Sequence, residues 1–311
     1  MNKTYALILS AGSGERVRYP VPKQFIKIAG KTILEHTIEI FERSRFIDKV
    51  IIVTHPQYKA LLERIIRKNS YGKIWKIVNG GATRRESSWA GLKEIDDNDA
   101  YVLIHDAVRP LLSDAVIKRC VDALKKHQAV DVAIPSADTI IMRTDSMYIS
   151  GIPKRRYMMR GQTPQAFKVG LIKKAHVRAQ QGKACDVTDD CALVLKYKLA
   201  PVYVVLGEED NIKITYMKDA FLADKLFQIK SGELSGAAPL RGLKDKVLVV
   251  FGARRGIGAA IAELARSRGA RVYGFSKHDG TDVSRIGDVA RALKSVYIHR
   301  RRIDYIVTTA G

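Results

Sequence analysis

Short apolar runs bounded by turn residues recur through residues 5–205, with stretches of helical period between several of them. The runs predict strands over Tyr5–Leu9, Lys49–Val53, Lys76–Val78, Tyr101–Ile104, Val130–Ile134 and Val202–Leu206. Apolar positions spaced three and four apart predict helices over Ile33–Ser44, Tyr58–Asn69, Ser87–Glu94, Ser113–Lys126 and Lys168–Gln180. Strand and helix in alternation argue for an α/β fold whose mostly parallel sheet is covered by helices on both faces. The alternation breaks over 138–160, where the basic, strand-like segment IIMRTDSMYISGIPKRRYMMR reads as a projecting hairpin, a β-arm.

A helix near Asp219–Gln228 is followed by SGELSGAAPLRGLKDK, whose small and turn-forming residues read as a linker over 231–245. Beyond it the pattern restarts: strand Val247–Phe251, a Gly loop, helix Ile257–Arg268, strand Arg271–Phe275, helix Val283–Val296 and strand Ile303–Val307. That order is one βαβαβ half of a dinucleotide-binding fold. Two domains are therefore expected, 1–230 and 246–311.

Composition removes several classes. The 311 residues are 46% hydrophobic and 28% charged, near the averages of soluble proteins, which excludes disorder and fits roughly two globular domains. The longest apolar runs, such as Val247–Phe251, fall far short of the roughly 18 residues of a membrane span. The start, MNKTYALILSAGSG, has no signal-type cleavage site, so a cytoplasmic protein without membrane insertion is expected. Cys120, Cys185 and Cys191 form no CxxC pair, which speaks for inert thiols rather than disulfides or zinc.

Lys and Arg exceed Asp and Glu by 54 to 32, a balance that prompts a nucleic-acid reading. The excess is divided, however, 39 to 26 over residues 1–240 and 15 to 6 over 241–311, with no basic tail. Several of the cations lie beside Gly loops or a conspicuous acid, which suits a small phosphorylated substrate better than a duplex. No nucleic-acid partner is expected.

Candidate chemistry begins directly after the first strand, in Ser10-Ala11-Gly12-Ser13-Gly14-Glu15-Arg16 followed by Pro22-Lys23-Gln24. A Walker A loop would end in Gly-Lys-Ser/Thr, and a Rossmann fingerprint would have a third Gly where Val17 stands. What remains is a Gly loop whose backbone N–H groups can approach phosphates, with Arg16 and Lys23 placed to clamp polyanionic oxygens, or else an ordinary turn with solvated charges. Asp106 and Arg109 follow the strand Tyr101–Ile104, at the sheet edge where open α/β folds bind ligands. Asp210 follows Val202–Leu206; two carboxylates at neighbouring strand ends can hold one hard divalent cation, with salt-bridged surface acids as the alternative. In Asn79-Gly80-Gly81-Ala82-Thr83-Arg84-Arg85-Glu86-Ser87-Ser88, bare backbone joins a strand to a helix where a flat base can be read.

SAGSGERV, PKQ, NGGATRRESS, HDAVRP, GQTPQAF, VTDD and DNIKIT, in this order over residues 5–228, resemble the cytidylyltransferase family that includes the methylerythritol-phosphate and ribitol-5-phosphate enzymes. The resemblance implies a Rossmann-like nucleotidyltransferase sheet, an arm exchanged across a homodimer, and transfer of the cytidylyl group of CTP to a sugar phosphate with Mg²⁺. It implies catalytic roles for Arg16, Lys23 and Lys213, and a CTP pocket of Ser10, Ala11, Gly12, Ser13, Gly14, Gly81, Ala82, Ser87 and Asp106. Asp106 and Asp210 are expected at the metal, and Arg109, Arg155, Thr163 and Thr188 at the sugar phosphate, with Arg155 reaching into a partner's site. Ala82 departs from the acid that the methylerythritol enzymes commonly carry there. His105 is expected to be structural, because an acceptor phosphate already ionised at pH 7 needs no general base.

Phe251-Gly252-Ala253-Arg254-Arg255-Gly256-Ile257-Gly258, with Asp282 and Thr309-Ala310-Gly311, resembles the first part of the short-chain dehydrogenases. That resemblance implies a partial or vestigial dinucleotide site of Gly252, Arg255, Gly256, Ile257, Gly258, Ser276, Lys277 and Asp282. Arg255 and Ser276-Lys277 stand where an acid would hold free ribose hydroxyls, so NADPH is favoured over NADH. The Tyr and Lys of reductase chemistry fall beyond Gly311, and no reductase activity is expected. A transferase followed by a reductase segment resembles bifunctional capsule-synthesis enzymes, which points to D-ribitol 5-phosphate as acceptor. Methylerythritol phosphate and an idle nucleotide-binding scaffold are the alternatives.

Overall fold

The computed structural model describes residues 2–12, 21–182, 187, 189–237 and 243–309. The chain folds as two compact units, residues 1–230 and 231–311. In chain order the first holds β1 (Thr4–Ser10), the short strands β2 (Lys27–Ile28) and β3 (Lys31–Thr32), α1 (Ile33–Arg43), β4 (Lys49–Thr54), α2 (Lys59–Asn69), β5 (Ile74–Asn79), α3 (Arg84–Leu92) and β6 (Tyr101–Asp106). There follow α4 (Asp114–Leu124), β7 (Ala129–Pro135), β8 (Met142–Arg143), β9 (Ile149–Gly151), β10 (Met159–Lys168), α5 (Val169–Gln181), α6 (Asp190–Lys196), β11 (Val202–Leu206) and the part to Lys230 of α7 (Met217–Ala237).

Seven strands form one sheet in the order β11-β7-β10-β6-β1-β4-β5. β1 lies between β4 and β6, parallel to both, and sends alternate residues to opposite faces. Ala6 and Ile8 join Leu34, Ile38 and Phe41 of α1 on one side, while Leu7 joins Ile104, Phe167 and Ile172 on the other. Burial on both faces is why these central strands read as continuous apolar runs. α1 starts sharply because Thr32 and Glu35 form a reciprocal capping box, each side chain accepting the other's backbone N–H.

The sheet is mixed rather than wholly parallel. β10 runs antiparallel between β6 and β7, and no strand was expected there from the residue pattern. Its ladder with β7 is interrupted between Gly161 and Gln165. Pro164, which has no N–H to give, falls in that interruption, where a bulge tolerates it. The short helix α6 was also unforeseen; Asp189 caps it by accepting the Ala192 N–H at 2.8 Å. β8 and β9 pair as a small exposed ribbon within the segment expected to project.

α7 runs on to Ala237, so helix occupies the first residues of the stretch read as a turn-rich linker. The second unit then holds β12 (Val247–Phe251), α8 (Gly256–Ser267), β13 (Arg271–Phe275), α9 (Ile286–Arg300) and β14 (Tyr305–Thr308). Its three strands are parallel, in the order β13-β12-β14. No described helix is long and apolar enough to cross a membrane.

Candidate active site

β1 ends at Ser10 and β6 at Asp106, with Leu9 and Asp106 in register, so their carboxyl ends open at one edge of the sheet. A cleft of about 670 Å³ lies there, lined by Ser10, Ala11, Gly12, Lys23, Gln24, Gly80, Gly81, Ala82, Arg84, Ser87, Asp106 and Lys213. Gln24, almost fully buried, donates its side-chain amide to the carbonyls of Ser10 (2.9 Å) and Gly12 (3.2 Å), and so ties the Gly loop to the turn that carries Lys23. A Cβ at Gly80 would sit 2.3 Å from the Ala11 Cβ and 2.9 Å from the Ser87 Oγ. Only glycine lets these segments of the cleft wall pack so closely. At the start of α3, Thr83 accepts the Glu86 N–H at 3.1 Å, and the Glu86 carboxylate accepts the Ala82 N–H at 2.9 Å. A carboxylate therefore still reaches position 82, from one turn further along.

Asp106 is the electrostatic centre. Its carboxylate lies 2.7 Å from Lys213 Nζ, 3.7 Å from Arg84 Nε and 3.9 Å from Arg109 Nε. Burial by itself would raise this carboxyl; Lys213, then Arg84 and Arg109, outweigh it and hold the group far below the ordinary carboxylate range. Arg84 is anchored from behind: its Nη1 donates to Asp190 at 2.6 Å. Asp190, 1% exposed, also accepts from Ser88 Oγ (2.9 Å) and meets His176 Nε2 (2.8 Å), and its own N–H goes to Gln165 at 3.1 Å.

Thr163 and Arg109, expected at the sugar phosphate, do not line the cleft; the Thr163 hydroxyl and both Arg109 Nη groups are engaged by the protein, while Arg109 Nε has no hydrogen-bond partner. Thr163 Oγ1 accepts the Asp106 N–H at 3.1 Å, which leaves the hydroxyl proton for His105 Nδ1 at 3.0 Å. His105 Nε2 then donates to the Arg109 carbonyl at 3.1 Å. Every hydrogen bond in this chain is satisfied by a neutral imidazole, and burial pushes the His105 pKa down to about 4. Arg109 donates to the Asn211 carbonyl at 2.6 Å and the Gly161 carbonyl at 3.5 Å. These residues support Asp106 from outside the cleft lining.

Other expected residues fall elsewhere. Asp210 pairs with Lys230 at 3.2 Å and does not line the cleft, so the clamp of Asp106 with Asp210 over one cation is not assembled. Among the described residues no group of three or more His, Cys, Asp or Glu side chains gathers as a metal site. Arg155 is exposed beside the ribbon and donates to the Ala137 carbonyl at 3.0 Å. Ser13, Gly14, Arg16 and Thr188 lie outside the described residues. Gln24, Arg84 and Asp190 lie within the sequence motifs, yet their roles do not follow from them: Arg84 and Asp190 are 106 positions apart, and a one-dimensional pattern carries no sign that they pair.

In the second unit a cavity of about 820 Å³ is lined by Gly252, Arg255, Gly256, Ile257, Gly258, Ser276 and Lys277. A Cβ at Gly258 would be 2.2 Å from the Gly252 carbonyl oxygen and 2.4 Å from Thr309 Oγ1, so glycine permits the close seating of α8 on β12. Asp282 does not line this cavity; it pairs with Lys277 at 3.2 Å and accepts from Ser284 Oγ at 2.7 Å.

Comparison with known proteins adds an independent line. Residues 4–228 match the model of the family described as IspD, 2-C-methyl-D-erythritol 4-phosphate cytidylyltransferase. The chain is 42% identical over 318 residues to the Haemophilus influenzae bifunctional ribulose 5-phosphate reductase/CDP-ribitol pyrophosphorylase, covering 100% of this chain and 67% of that protein. It is 40% identical over 230 residues to the 2-C-methyl-D-erythritol 4-phosphate cytidylyltransferase of Thermobifida fusca, covering 72% of this chain and 92% of that one. Among solved structures, 4-diphosphocytidyl-2C-methyl-D-erythritol synthase from Anaerococcus prevotii aligns with a TM-score of 0.66 at 35% identity, covering 73% of this chain and 96% of that one. With its mixed α/β sheet, its Gly-walled cleft and this match over residues 4–228, the chain belongs to the IspD family of cytidylyltransferases.

Proposed function

We propose that the first unit transfers the cytidylyl group of CTP to D-ribitol 5-phosphate, giving CDP-ribitol and pyrophosphate for a capsule or cell-surface polymer. The observation that carries this choice is the span of the similarity. The relative named for CDP-ribitol matches the whole chain, second unit included, whereas the Thermobifida relative named for methylerythritol 4-phosphate matches 72% of it. The alternative acceptor, 2-C-methyl-D-erythritol 4-phosphate, is favoured by the family description itself.

The acceptor's phosphate oxygen attacks the α-phosphorus of CTP, one P–O bond forms, and the bond to the β-phosphate breaks as pyrophosphate leaves. Such a transfer needs positioning and charge stabilisation more than covalent help. Lys23, with Arg16, holds the triphosphate and takes up charge developing at phosphorus, and Lys213 steadies the α-phosphate side. Backbone at Ser10, Ala11, Gly12, Gly81 and Ala82, with the Ser87 hydroxyl, forms the cytosine and ribose pocket, and backbone at Gly80–Gly81 accepts the exocyclic amine of cytosine. Asp106 offers one hard oxygen, and Mg²⁺ takes one or two carboxylates together with substrate phosphates, so this donor set fits the ion without Asp210. Bound there, Mg²⁺ would neutralise phosphate charge.

The exposed ribbon and Arg155 serve a homodimer in which each Arg155 meets the acceptor phosphate in its partner's site. Residues 1–230, 231–245 and 246–311 act as transferase, connection and partial reductase segment. The second cavity takes NADPH, with Arg255, Ser276 and Lys277 about the 2′-phosphate. CTP and a pentitol phosphate place the work in the cytoplasm, with no nucleic-acid partner and no membrane insertion. The test is pyrophosphate release by the purified chain with CTP, Mg²⁺ and each acceptor in turn. Ribitol 5-phosphate is expected to turn over. Release with methylerythritol phosphate alone selects the alternative acceptor, and release with neither makes the chain a nucleotide-binding scaffold.

A further inference from the structure

We infer that Arg84 is a positioning residue for the transfer: it fixes the rotation of the Asp106 carboxylate and, through it, the place of the Lys213 ammonium. The inference rests on the cytidylyltransferase reading of the cleft and gives a task to a residue that this reading leaves without one.

The two oxygens of Asp106 face different cations, Oδ1 towards Arg84 Nε at 3.7 Å and Oδ2 towards Lys213 Nζ at 2.7 Å and Arg109 Nε at 3.9 Å. The last torsion of an Asp side chain is broad and close to two-fold, so a lone carboxylate has no strong reason to keep one setting. A charge held still on one side supplies that reason. Lys213 is ill suited, because its side chain is 42% exposed on a flexible four-carbon stem, and Arg109, though held on carbonyls, stands farther off at 3.9 Å and faces only Oδ2. Arg84 can. Its Nη1 is fixed on Asp190 at 2.6 Å, and Asp190 is itself locked by Ser88, His176 and Gln165.

Fixed groups thus run from α5 and α6 through the first residue of α3 to the end of β6, and stop at the most exposed member, Lys213. A strut between helices would need the Arg84–Asp190 contact alone; the turn of Nε towards Asp106 is additional. Lysine at position 84 would supply one charge to Asp190 without a second N–H edge for Asp106.

The test uses the full chain and reads Lys213 directly. Acetic anhydride labels free amines, and a paired, protonated ammonium is protected; mass spectrometry gives the rate at Lys213 against the exposed Lys126. R84K is expected to raise Lys213 labelling at least threefold, D106N at least as much, and the double variant no more than D106N alone. In turnover, R84K should lower kcat at least tenfold with KM for CTP within twofold, and should add less than twofold to the loss in D106N. A folded R84K with wild-type labelling overturns the proposal, as does a kcat loss that multiplies in full onto D106N. If R84K does not fold, D190N, which keeps Arg84 but frees it, must show the same rise in labelling; unchanged labelling there overturns the proposal equally. Labelling needs no substrate, so an absence of turnover in the wild-type chain would count against the functional reading and leave this result to stand or fall separately.

Discussion

Lys23 and Lys213 enter one cleft from opposite ends of the first unit's sequence, one after β1 and the other after β11. A preorganised charge aimed at a developing phosphorane is worth roughly 3 to 4 kcal/mol, so Lys23→Ala should lower kcat about a hundredfold or more. Near-normal turnover of folded Lys23→Ala would remove Lys23 from the chemistry. Two groups of the sheet, the buried His105 of β6 and the half-buried Asp131 of β7, answer acid in opposite senses. His105, neutral with a pKa near 4, leaves the native state short of a proton as pH falls below the ordinary histidine range, so stability drops between about pH 6.5 and 4. Asp131 has its carboxyl raised to about 6, chiefly by burial, with Asp189 adding to the rise and a bond from Gln165 opposing it. Its native state holds an extra proton between the unfolded carboxyl value and about 6, so stability there rises as pH falls. Asp131→Asn should expose the histidine term: between pH 7 and 5 the variant loses up to about 2 kcal/mol, where the wild type loses only about a quarter of that. Urea midpoints at the two pH values decide it, and parallel profiles would contradict the assignment. The sequence could show which residues cluster in motifs, and it placed Lys23, Asp106, Lys213 and the Gly80–Gly81 backbone together. The Arg84–Asp190 pair and the His105–Thr163 chain were hidden, because each joins residues whose separation in sequence has no periodic signature.

Among the elements, the parallel strands were the most legible, since burial on both faces writes them as unbroken apolar runs. β10 was not, for a physical reason: it carries Gln162, Thr163, Pro164 and Gln165 through the middle of the sheet, and proline ordinarily argues against a central strand. Those polar residues are what the strand is there to supply, because Thr163 supports Asp106 while Gln162 donates to the Glu208 carbonyl at 2.8 Å ahead of Lys213. The β8–β9 ribbon shows a different economy. Met147, Tyr148 and Ile149 are 74, 75 and 60% exposed, more apolar surface than a solvated hairpin of this size needs. A partner subunit is the occupant expected, and the chain should have the mass of a homodimer in light scattering. Arg155→Ala should raise KM for the sugar phosphate about tenfold or more, the effect of losing a hydrogen bond to a charged group. Mixed with Lys23→Ala chains, it should form heterodimers with one site carrying both defects and one carrying neither. No recovery of activity in demonstrably mixed dimers would place Arg155 in its own subunit's site or in none.

At the scale of the whole molecule, a basic balance of 54 to 32 belongs to two units that each offer cations beside a Gly-walled cavity. Small phosphorylated ligands explain that distribution better than a nucleic acid, whose contacts would follow a stripe or tail. If the second cavity takes a 2′-phosphate, NADPH should bind at least tenfold more tightly than NADH by fluorescence titration, and Lys277→Ala should erase the difference; equal affinities in the wild type would count against it. The central claim concerns the first cavity and its acceptor. It is tested most directly in one vessel holding the chain, CTP, Mg²⁺ and equal concentrations of ribitol 5-phosphate and 2-C-methyl-D-erythritol 4-phosphate, with the two products separated by mass. Their ratio at early times is the ratio of the two kcat/KM values. CDP-ribitol in at least tenfold excess is the result expected; an excess of the methylerythritol product would contradict the assignment.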